Sequence, residues 1–249
     1  KGNQQYLEPI MSNSENIYNF GANAYGKPAT GLNILRETIM GHELFDHAFK
    51  TYANRWKFKH PTPEDFFRTM EDASAVDLDW FWRGWFYSTD FTDIAIKDVK
   101  QYYVVEQDPK DAKPQFNRRG RKIGDENQPM LKMVLEGATD FKPELANGFD
   151  ASKVQALNDY LSKNYTQAEI SALQSPKFFY EVEFEKPGGL IMPIIVELQF
   201  EDGTSETQTF PAQIWRKNND SAKRVFASAT KVVKFQLDPK LETADVDIT

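Results

Sequence analysis

The segment Asp77–Tyr87, DLDWFWRGWFY, holds three of the five tryptophans of the chain. Six of the eight residues after Asp79 are aromatic, so a helix formed here would have too little polar surface to face water. The segment is therefore predicted to be a helix with Asp77 as its N-cap, buried against neighbouring helices. Such burial requires further helices, and the preceding sequence contains their signals.

Three helices are predicted before this segment. Thr62-Pro63-Glu64-Asp65 supplies a capping hydroxyl, a first-turn proline and acidic residues for a helix that ends at residues 73–75. Apolar residues recur at helical spacing from Pro28 onward, and Gly41 interrupts them, which predicts two helices that meet at this glycine. These apolar positions are Leu32, Leu35, Ile39, Leu44, Phe45, Ala48, Phe49 and Tyr52. Residues 1–90 are thus predicted to form an all-helical unit.

The pattern changes after Asp90. Apolar residues at positions 94, 96, 99, 103 and 105 predict a strand, whereas residues 107–129 are polar and rich in charge, which is typical of a solvated linker. Residues 150–174 have helical periodicity with a break near Asn164, so two short helices are predicted there. This region connects the helical unit to a different kind of structure.

Alternation of apolar and polar residues dominates the last part of the chain. Asp202-Gly203 is a hairpin signal between two alternating segments. Turns at intervals of roughly ten residues favour an antiparallel, immunoglobulin-like β-sandwich, expected to be independent from residue 178 onward. The clearest alternating segments are 180–184, 194–200 and 233–237.

Together these patterns predict an α+β fold with three regions. Residues 1–98 are expected to be the helical region. Residues 99–149 are expected to hold a strand and a polar linker. Residues 150–249 are expected to hold the short helices and then the β-sandwich domain.

Composition restricts the partners of the chain. Its 249 residues have a formal net charge of -7 and no long run of Lys and Arg, which argues against nucleic-acid binding. No stretch approaches the eighteen or so consecutive apolar residues of a membrane helix, so no membrane-spanning segment is expected. The absence of cysteine excludes disulfides and thiolate metal sites but does not decide the compartment. A signal peptide before Lys1 would make the protein periplasmic or exported.

The segment His42-Glu43-Leu44-Phe45-Asp46-His47 is similar to the H-E-x-x-H zinc motif, but its histidines are five residues apart. On a helix that spacing turns the two rings about 140° apart, whereas a shared ion requires the i, i+4 arrangement. His42 is therefore interpreted as a first-turn residue and His47 as a helix-surface residue. His60, which precedes Pro61, is interpreted as a loop residue.

Other catalytic motifs are absent from the sequence. There is no G-x-S-x-G turn and no glycine-rich phosphate loop. The acidic pairs Glu71-Asp72 and Asp77 with Asp79 lie at predicted helix ends, where carboxylates serve first as caps and dipole partners.

Longer stretches carry a resemblance to a known family. AYGKPA at residues 24–29, with the apolar positions up to Tyr52, resembles the Tyr-x-Lys helix that follows the zinc site in M1 aminopeptidases. HPTPEDFF at 60–67, MEDAS at 70–74 and DLDWFWRGWF at 77–86 resemble the helices that close the thermolysin-like domain of that gluzincin family. In the tail, PAQIWR at 211–216 and residues 238–245 resemble its β-sandwich region. The likeness is to the bacterial type, and the chain resembles the C-terminal part of such a protein.

The resemblance implies a parent protein that removes N-terminal residues from peptides by zinc-dependent hydrolysis. The family holds zinc with H-E-x-x-H and a later glutamate, and a GxMEN-type segment grips the free amine of the substrate. Of these elements only the tyrosine matches, and it implies that Tyr25 donates a hydrogen bond to the oxyanion formed when zinc-activated water attacks. Without the resemblance, Tyr25 is equally a helix-start tyrosine that packs its ring.

The zinc ligands are expected upstream of Lys1, so zinc belongs to the intact parent and the chain alone is expected to hold no metal and be inactive. Peptide substrates are the partners implied for the parent. The alternative is a non-catalytic scaffold or protein-interaction module derived from an M1 peptidase. An intact H-E-x-x-H motif upstream would favour the enzyme, and a degenerate one would favour the scaffold.

Overall fold

The computed structural model describes residues 6–107, 115–116, 118–119, 122–123, 130–136, 155–167 and 178–247. Its α-helices are α1 (Lys27–Ile34), α2 (His42–Trp56), α3 (Pro63–Ser74), α4 (Asp79–Tyr87) and α5 (Gln155–Asn164). Its strands are β1 (Ala95–Gln107), β2 (Gln115–Phe116), β3 (Lys122–Ile123), β4 (Met130–Leu135), β5 (Phe178–Glu185), β6 (Ile194–Phe200), β7 (Ser205–Phe210), β8 (Ser221–Ser228) and β9 (Val232–Leu237). Helices are followed by antiparallel sheets, so the predicted α+β fold class is confirmed.

The predicted boundaries of α3 are confirmed. The Thr62 hydroxyl accepts a hydrogen bond from the Asp65 backbone N–H, and the Asp65 carboxylate accepts one in return from the Thr62 backbone N–H at 2.9 Å. At the other end Ala75 closes the helix in the left-handed conformation, with φ of 56°. These reciprocal bonds satisfy donors that the first helical turn leaves unpaired.

The predicted N-cap of α4 is displaced by one residue. Leu78, whose side chain is buried in the core, takes the cap position instead of Asp77 and makes no side-chain cap hydrogen bond. Asp77 still contributes, since its carboxylate accepts a hydrogen bond from the Asp79 backbone N–H at 3.3 Å. The Glu71 carboxylate accepts one from the Leu78 backbone N–H at 2.8 Å. Side chains just outside α4 therefore replace a direct cap.

The helix predicted from Pro28 begins earlier than expected. A π-helical turn, Gly21–Gly26, precedes α1, and a second one, Leu35–Ile39, follows it. Gly41 has φ of 79° and separates this continuous helical stretch from α2, as the sequence predicted. A three-residue 3-10 turn, Ser14–Asn16, lies in the segment before the π-helical turn.

Two antiparallel sheets form a sandwich-like pair. The larger sheet has the strand order β4-β1-β5-β8, and the smaller one has the order β7-β6-β9. Aromatic rings join them, since the Phe235 ring of β9 lies 5.5 Å from Tyr180 of β5 and 5.7 Å from Phe226 of β8. The Tyr180 hydroxyl also accepts a hydrogen bond from the Val232 backbone N–H at 2.9 Å. The inner faces of both sheets are thus one apolar layer.

The prediction that residues from 178 onward form a sandwich on their own is wrong. Strand β1 pairs with β5 over residues 95–102 and with β4 over residues 102–107, so half of the strands of the larger sheet come from earlier residues. Without β1, the β5 edge would have unpaired backbone groups. Most of the predicted linker at 107–129 and the second predicted short helix after Asn164 lie outside the described residues. Within the described ranges, no helix is long and apolar enough to cross a membrane.

One hydrophobic core extends from the helices into the sandwich. Helix α4 lies at the junction, where Gly84 allows the buried Leu190 side chain to approach the helix backbone closely. A β-carbon on Gly31 would lie 3.2 Å from the Trp85 ring, so α1 also approaches α4 closely. Small residues at these contacts allow the large rings of α4 to be packed on more than one side.

The segment between α4 and β1 is fixed by two later parts of the chain. The Phe91 N–H donates to the Gly188 oxygen at 3.1 Å, and the Phe91 oxygen accepts the Leu190 N–H at 3.2 Å. The Ile94 N–H donates to an Asp245 carboxylate oxygen at 2.9 Å. The Thr38 hydroxyl donates to the Glu242 backbone oxygen at 3.0 Å, so the tail also contacts the helices.

The turn at Gly188 gives a test of this junction. A β-carbon at Gly188 would lie 2.3 Å from the Phe91 carbonyl oxygen and 2.8 Å from the Asp93 backbone nitrogen, both of them atoms that cannot rotate away. We expect Gly188→Ala to lower the free energy of unfolding by about 1–3 kcal/mol, measured as a lower urea midpoint.

The matched control is Gly21→Ala, because no atom lies within 4 Å of the added β-carbon. Its midpoint should be equal to or higher than that of the wild type. A Gly188→Ala variant that unfolds at the wild-type midpoint with an unchanged slope would show that the junction tolerates the substitution.

Candidate active site

Tyr25 lies in the π-helical turn Gly21–Gly26, before α1. Its side chain is 67% exposed, and its ring meets the Phe20 ring edge-on with centroids 5.5 Å apart. Among the described residues, its hydroxyl has no hydrogen-bond partner. π-Helical turns are rare and recur at functional sites. The turn therefore presents a phenol that is open to a ligand.

The interpretation of Tyr25 as a packing residue finds little support in this placement. A tyrosine that stabilises a core buries its ring, whereas two thirds of this side chain is accessible. The contact with Phe20 is itself at the surface, since Phe20 is also exposed. Exposure leaves the hydroxyl available, but the ring alone does not fix its direction.

Asn23 lies two residues before Tyr25 and is almost completely buried, with 2% exposure. Its amide donates to the backbone oxygens of Tyr6 at 2.9 Å and Tyr18 at 2.7 Å, and its carbonyl oxygen accepts from the Glu8 N–H at 3.2 Å. No role was predicted for Asn23 from the sequence. The only signal was a polar residue four positions before another polar residue, Lys27, in a helical stretch.

Lys27 continues the same side of the helical stretch. Its ammonium group donates to the Ser88 backbone oxygen at 2.8 Å and to the Glu8 backbone oxygen at 3.2 Å. Burial lowers the pKa of Lys27, and the nearby Asp90 carboxylate opposes that shift. Lys27 therefore connects the start of α1 to the residue that follows α4. Lys27 is part of the Tyr-x-Lys motif that carries the family resemblance, but no role was predicted for it.

The histidines that resemble a zinc motif do not come together. His42 Nε2 contacts a carboxylate oxygen of Glu37, and this hydrogen bond holds the pKa of Glu37 below its usual value. The Glu37 carboxylate also forms an ion pair with the Arg36 guanidinium, with Nη1 and Oε1 2.7 Å apart. His47 lies exposed on α2, and His60 is exposed in a loop, as predicted.

Zinc requires several ligands around one point. Within the described ranges, no group of three or more His, Cys, Asp or Glu side chains could hold a metal ion. The described residues therefore do not fit a zinc site, and the contact between His42 and Glu37 occupies a ring nitrogen that such a site would need.

A cleft of about 450 Å³ lies over α3 and α4 and contains several charged residues. Burial raises the pKa of Glu71 in this cleft, but its carboxylate is already bound to the Leu78 backbone N–H. Asp77 is paired with Arg216 at 2.9 Å. The contacts of Glu71 and Asp77 therefore agree with the structural role predicted for these acids at helix ends.

Comparison with known proteins supports the assignment made from the sequence motifs. Residues 1–85 match the Peptidase family M1 domain. The match includes the π-helical turn with Tyr25, helices α1 to α3 and most of α4, which is about a third of the chain. No curated protein matches the chain. The segment of residues 1–85, including the turn that carries Tyr25, is therefore similar to the peptidase family M1 domain.

Proposed function

We propose that this chain is part of a zinc metallopeptidase that removes N-terminal residues from peptides, with Tyr25 as the oxyanion donor. The observation that carries the proposal is the family M1 match over residues 1–85 together with an exposed Tyr25 inside it. Family M1 is a family of zinc-dependent peptidases, so hydrolysis of a peptide bond is the general activity. Release of single N-terminal residues is the finer part of the proposal.

The role of Tyr25 follows from the charge that develops during peptide hydrolysis. Attack on the peptide carbonyl places negative charge on its oxygen, and a hydrogen-bond donor aimed at that oxygen stabilises the transition state more than the substrate. The Tyr25 hydroxyl is exposed and has no partner among the described residues, so it can exchange a water molecule for the substrate oxygen without breaking a hydrogen bond to one of those residues. A donor of this kind is worth roughly 10²- to 10³-fold in kcat.

In this proposal, the zinc ligands and the groups that bind the free amine of the substrate belong to another part of the complete protein. The described histidines and carboxylates do not form a set of zinc ligands. The proposed ligands belong to a part of the complete protein that precedes Lys1. No step of the reaction is therefore assigned to His42, His47 or His60.

The later part of the chain has a structural role in this proposal. We propose a division into residues 1–98, 99–149 and 150–249 along the sequence, although β1 (Ala95–Gln107) crosses the first boundary and joins the larger sheet of the sandwich. The sandwich packs against α4 through Leu190 and through the ion pair of Arg216 with Asp77. It thereby supports the helical segment that holds Tyr25.

The chain alone is expected to bind no stoichiometric zinc. After incubation with zinc and extensive dialysis, elemental analysis should find much less than one zinc per chain, and the chain should release no amino acid from aminoacyl-chromogenic substrates. The double variant His42→Ala/His47→Ala should retain the same zinc content as the wild type. One tightly bound zinc per chain that is lost in the double variant would contradict the assignment.

Tyr25→Phe tests the catalytic role in the complete, zinc-loaded protein. The substitution keeps the ring and removes only the hydroxyl, so kcat should fall roughly 10²- to 10³-fold while KM changes much less. Thermal stability should remain near that of the wild type, because the hydroxyl has no partner among the described residues.

Tyr160→Phe is the matched control, since Tyr160 is a similarly exposed tyrosine on α5. It should leave kcat unchanged. If Tyr25→Phe also leaves kcat unchanged, Tyr25 is not the oxyanion donor. A complete protein without any peptidase activity and with a degenerate H-E-x-x-H motif would favour the scaffold alternative.

A further inference from the structure

The direction of the Tyr25 hydroxyl has to be set by something other than its own ring. The side chain is mostly exposed and contacts another exposed ring, so packing cannot hold it in one orientation. The turn around it begins at Gly21 and ends at Gly26, and no atom lies within 4 Å of where a Gly21 β-carbon would be. Side-chain packing at the Gly21 end of the turn is therefore weak. The backbone of the turn must be fixed by other contacts.

A π-helical turn can also adopt another hydrogen-bond register. It contains one more residue per turn than an α-helix, and it can relax to the more common α-helical hydrogen bonds. Each residue of an α-helix turns the chain by about 100°, so such a change of register would rotate Tyr25 away from its present direction. The turn is useful for positioning only if its register is enforced.

Asn23 supplies that enforcement. The three hydrogen bonds of the Asn23 side chain all go to backbone atoms, at residues that are 5, 15 and 17 positions away in the sequence. If these partners were lost, the buried amide would be left without hydrogen bonds and would bear the full cost of its desolvation. A rotation of the turn would break all three bonds together. The amide therefore favours one register of the turn over others.

Lys27 extends the same contacts to α4. The Asn23 side chain accepts the Glu8 backbone N–H, and the Lys27 ammonium donates to the Glu8 backbone oxygen. Both polar backbone groups of Glu8 are therefore hydrogen-bonded. The Glu8 carboxylate in turn accepts the Tyr18 N–H at 2.8 Å. Through Ser88, Lys27 joins this arrangement to the end of α4.

We infer that Asn23 is a positioning residue for Tyr25: its buried amide fixes the register of the π-helical turn and so directs the Tyr25 hydroxyl toward the substrate carbonyl. Asn23 itself does not touch the substrate in this assignment. The inference rests on the proposed function only in giving Tyr25 a catalytic role, and the physical claim about the turn is independent of it.

The first test is a double-mutant cycle in the complete, zinc-loaded protein. Asn23→Ala should lower kcat roughly 10- to 100-fold with a smaller change in KM, since misplacement of a catalytic group by about 1 Å can cost 10²-fold. In the Tyr25→Phe background the same substitution should change kcat by less than about twofold, because the hydroxyl that it positions is already absent. Equal losses of kcat in the two backgrounds would mean a general structural role and would overturn the inference.

The second test does not use activity. The 249-residue chain contains ten tyrosines, and incorporation of 3-fluorotyrosine would give each a fluorine NMR signal. The Tyr25 signal is assigned by its absence in Tyr25→Phe. Asn23→Ala should broaden, split or shift this signal. An unchanged Tyr25 signal would overturn the inference whatever the kinetics show.

Thr69→Ala is the matched control. Thr69 is as buried as Asn23 and is hydrogen-bonded to the Asp65 backbone oxygen and the Trp56 indole, but it lies on α3. Its loss should reduce stability without altering the Tyr25 signal or kcat. If Asn23→Ala does not fold, Lys27→Met replaces it, because it keeps the buried stem and removes both hydrogen bonds. It should show the same dependence on the Tyr25 hydroxyl.

The two proposals fail in different ways. If Tyr25→Phe leaves kcat unchanged but Asn23→Ala alters the Tyr25 signal, the proposed function is wrong and the positioning of the turn is right. If Tyr25→Phe lowers kcat but Asn23→Ala changes neither kcat nor the signal, Tyr25 is catalytic and Asn23 does not position it.

Discussion

The burial of α4 is the constraint on which the rest of the structure depends. Removing one tryptophan side chain of 150–250 Å² from water contributes about 4–6 kcal/mol, at about 25 cal/mol per Å². Within the described residues, the indole nitrogens of Trp82 and Trp85 have no hydrogen-bond partner, and each such loss costs about 1–3 kcal/mol. The apolar gain is larger than this cost. The helix therefore needs apolar surface on several sides, which the other helices and the sandwich provide together.

This constraint also fixes the candidate site. The Phe86 carbonyl near the end of α4 accepts the Met11 N–H at 3.0 Å, and Ser88 accepts the Lys27 ammonium. The irregular segment before the π-helical turn is thus held against the most buried helix of the chain. Tyr25 remains exposed, but the backbone beneath it is tied to the core. A rigid base with an accessible functional group is the arrangement that catalytic positioning requires.

Part of this structure can be read from local sequence signals, and part cannot. The capping box of α3, the break at Gly41 and the burial of α4 each depend on residues within a few positions of one another, so they could be predicted. The pairing of β1 with β5 joins residues about 80 positions apart, and strand alternation does not name a partner. Asn23 was missed because its partners are backbone atoms of an irregular segment without periodicity. Tyr25 was found through the family motif, whereas its exposure required the structure.

The contacts between the helices and residues 242–245 have a consequence for how the protein is made. Thr38 and Glu242 are 204 residues apart, and Ile94 and Asp245 are 151 residues apart. Such distant contacts raise the contact order and slow folding. At about 5–20 residues per second, a ribosome needs on the order of 10–40 s to synthesise the intervening chain. During that interval the newly made helical region lacks both contacts, so it cannot reach its final structure until residues 242–245 have been synthesised.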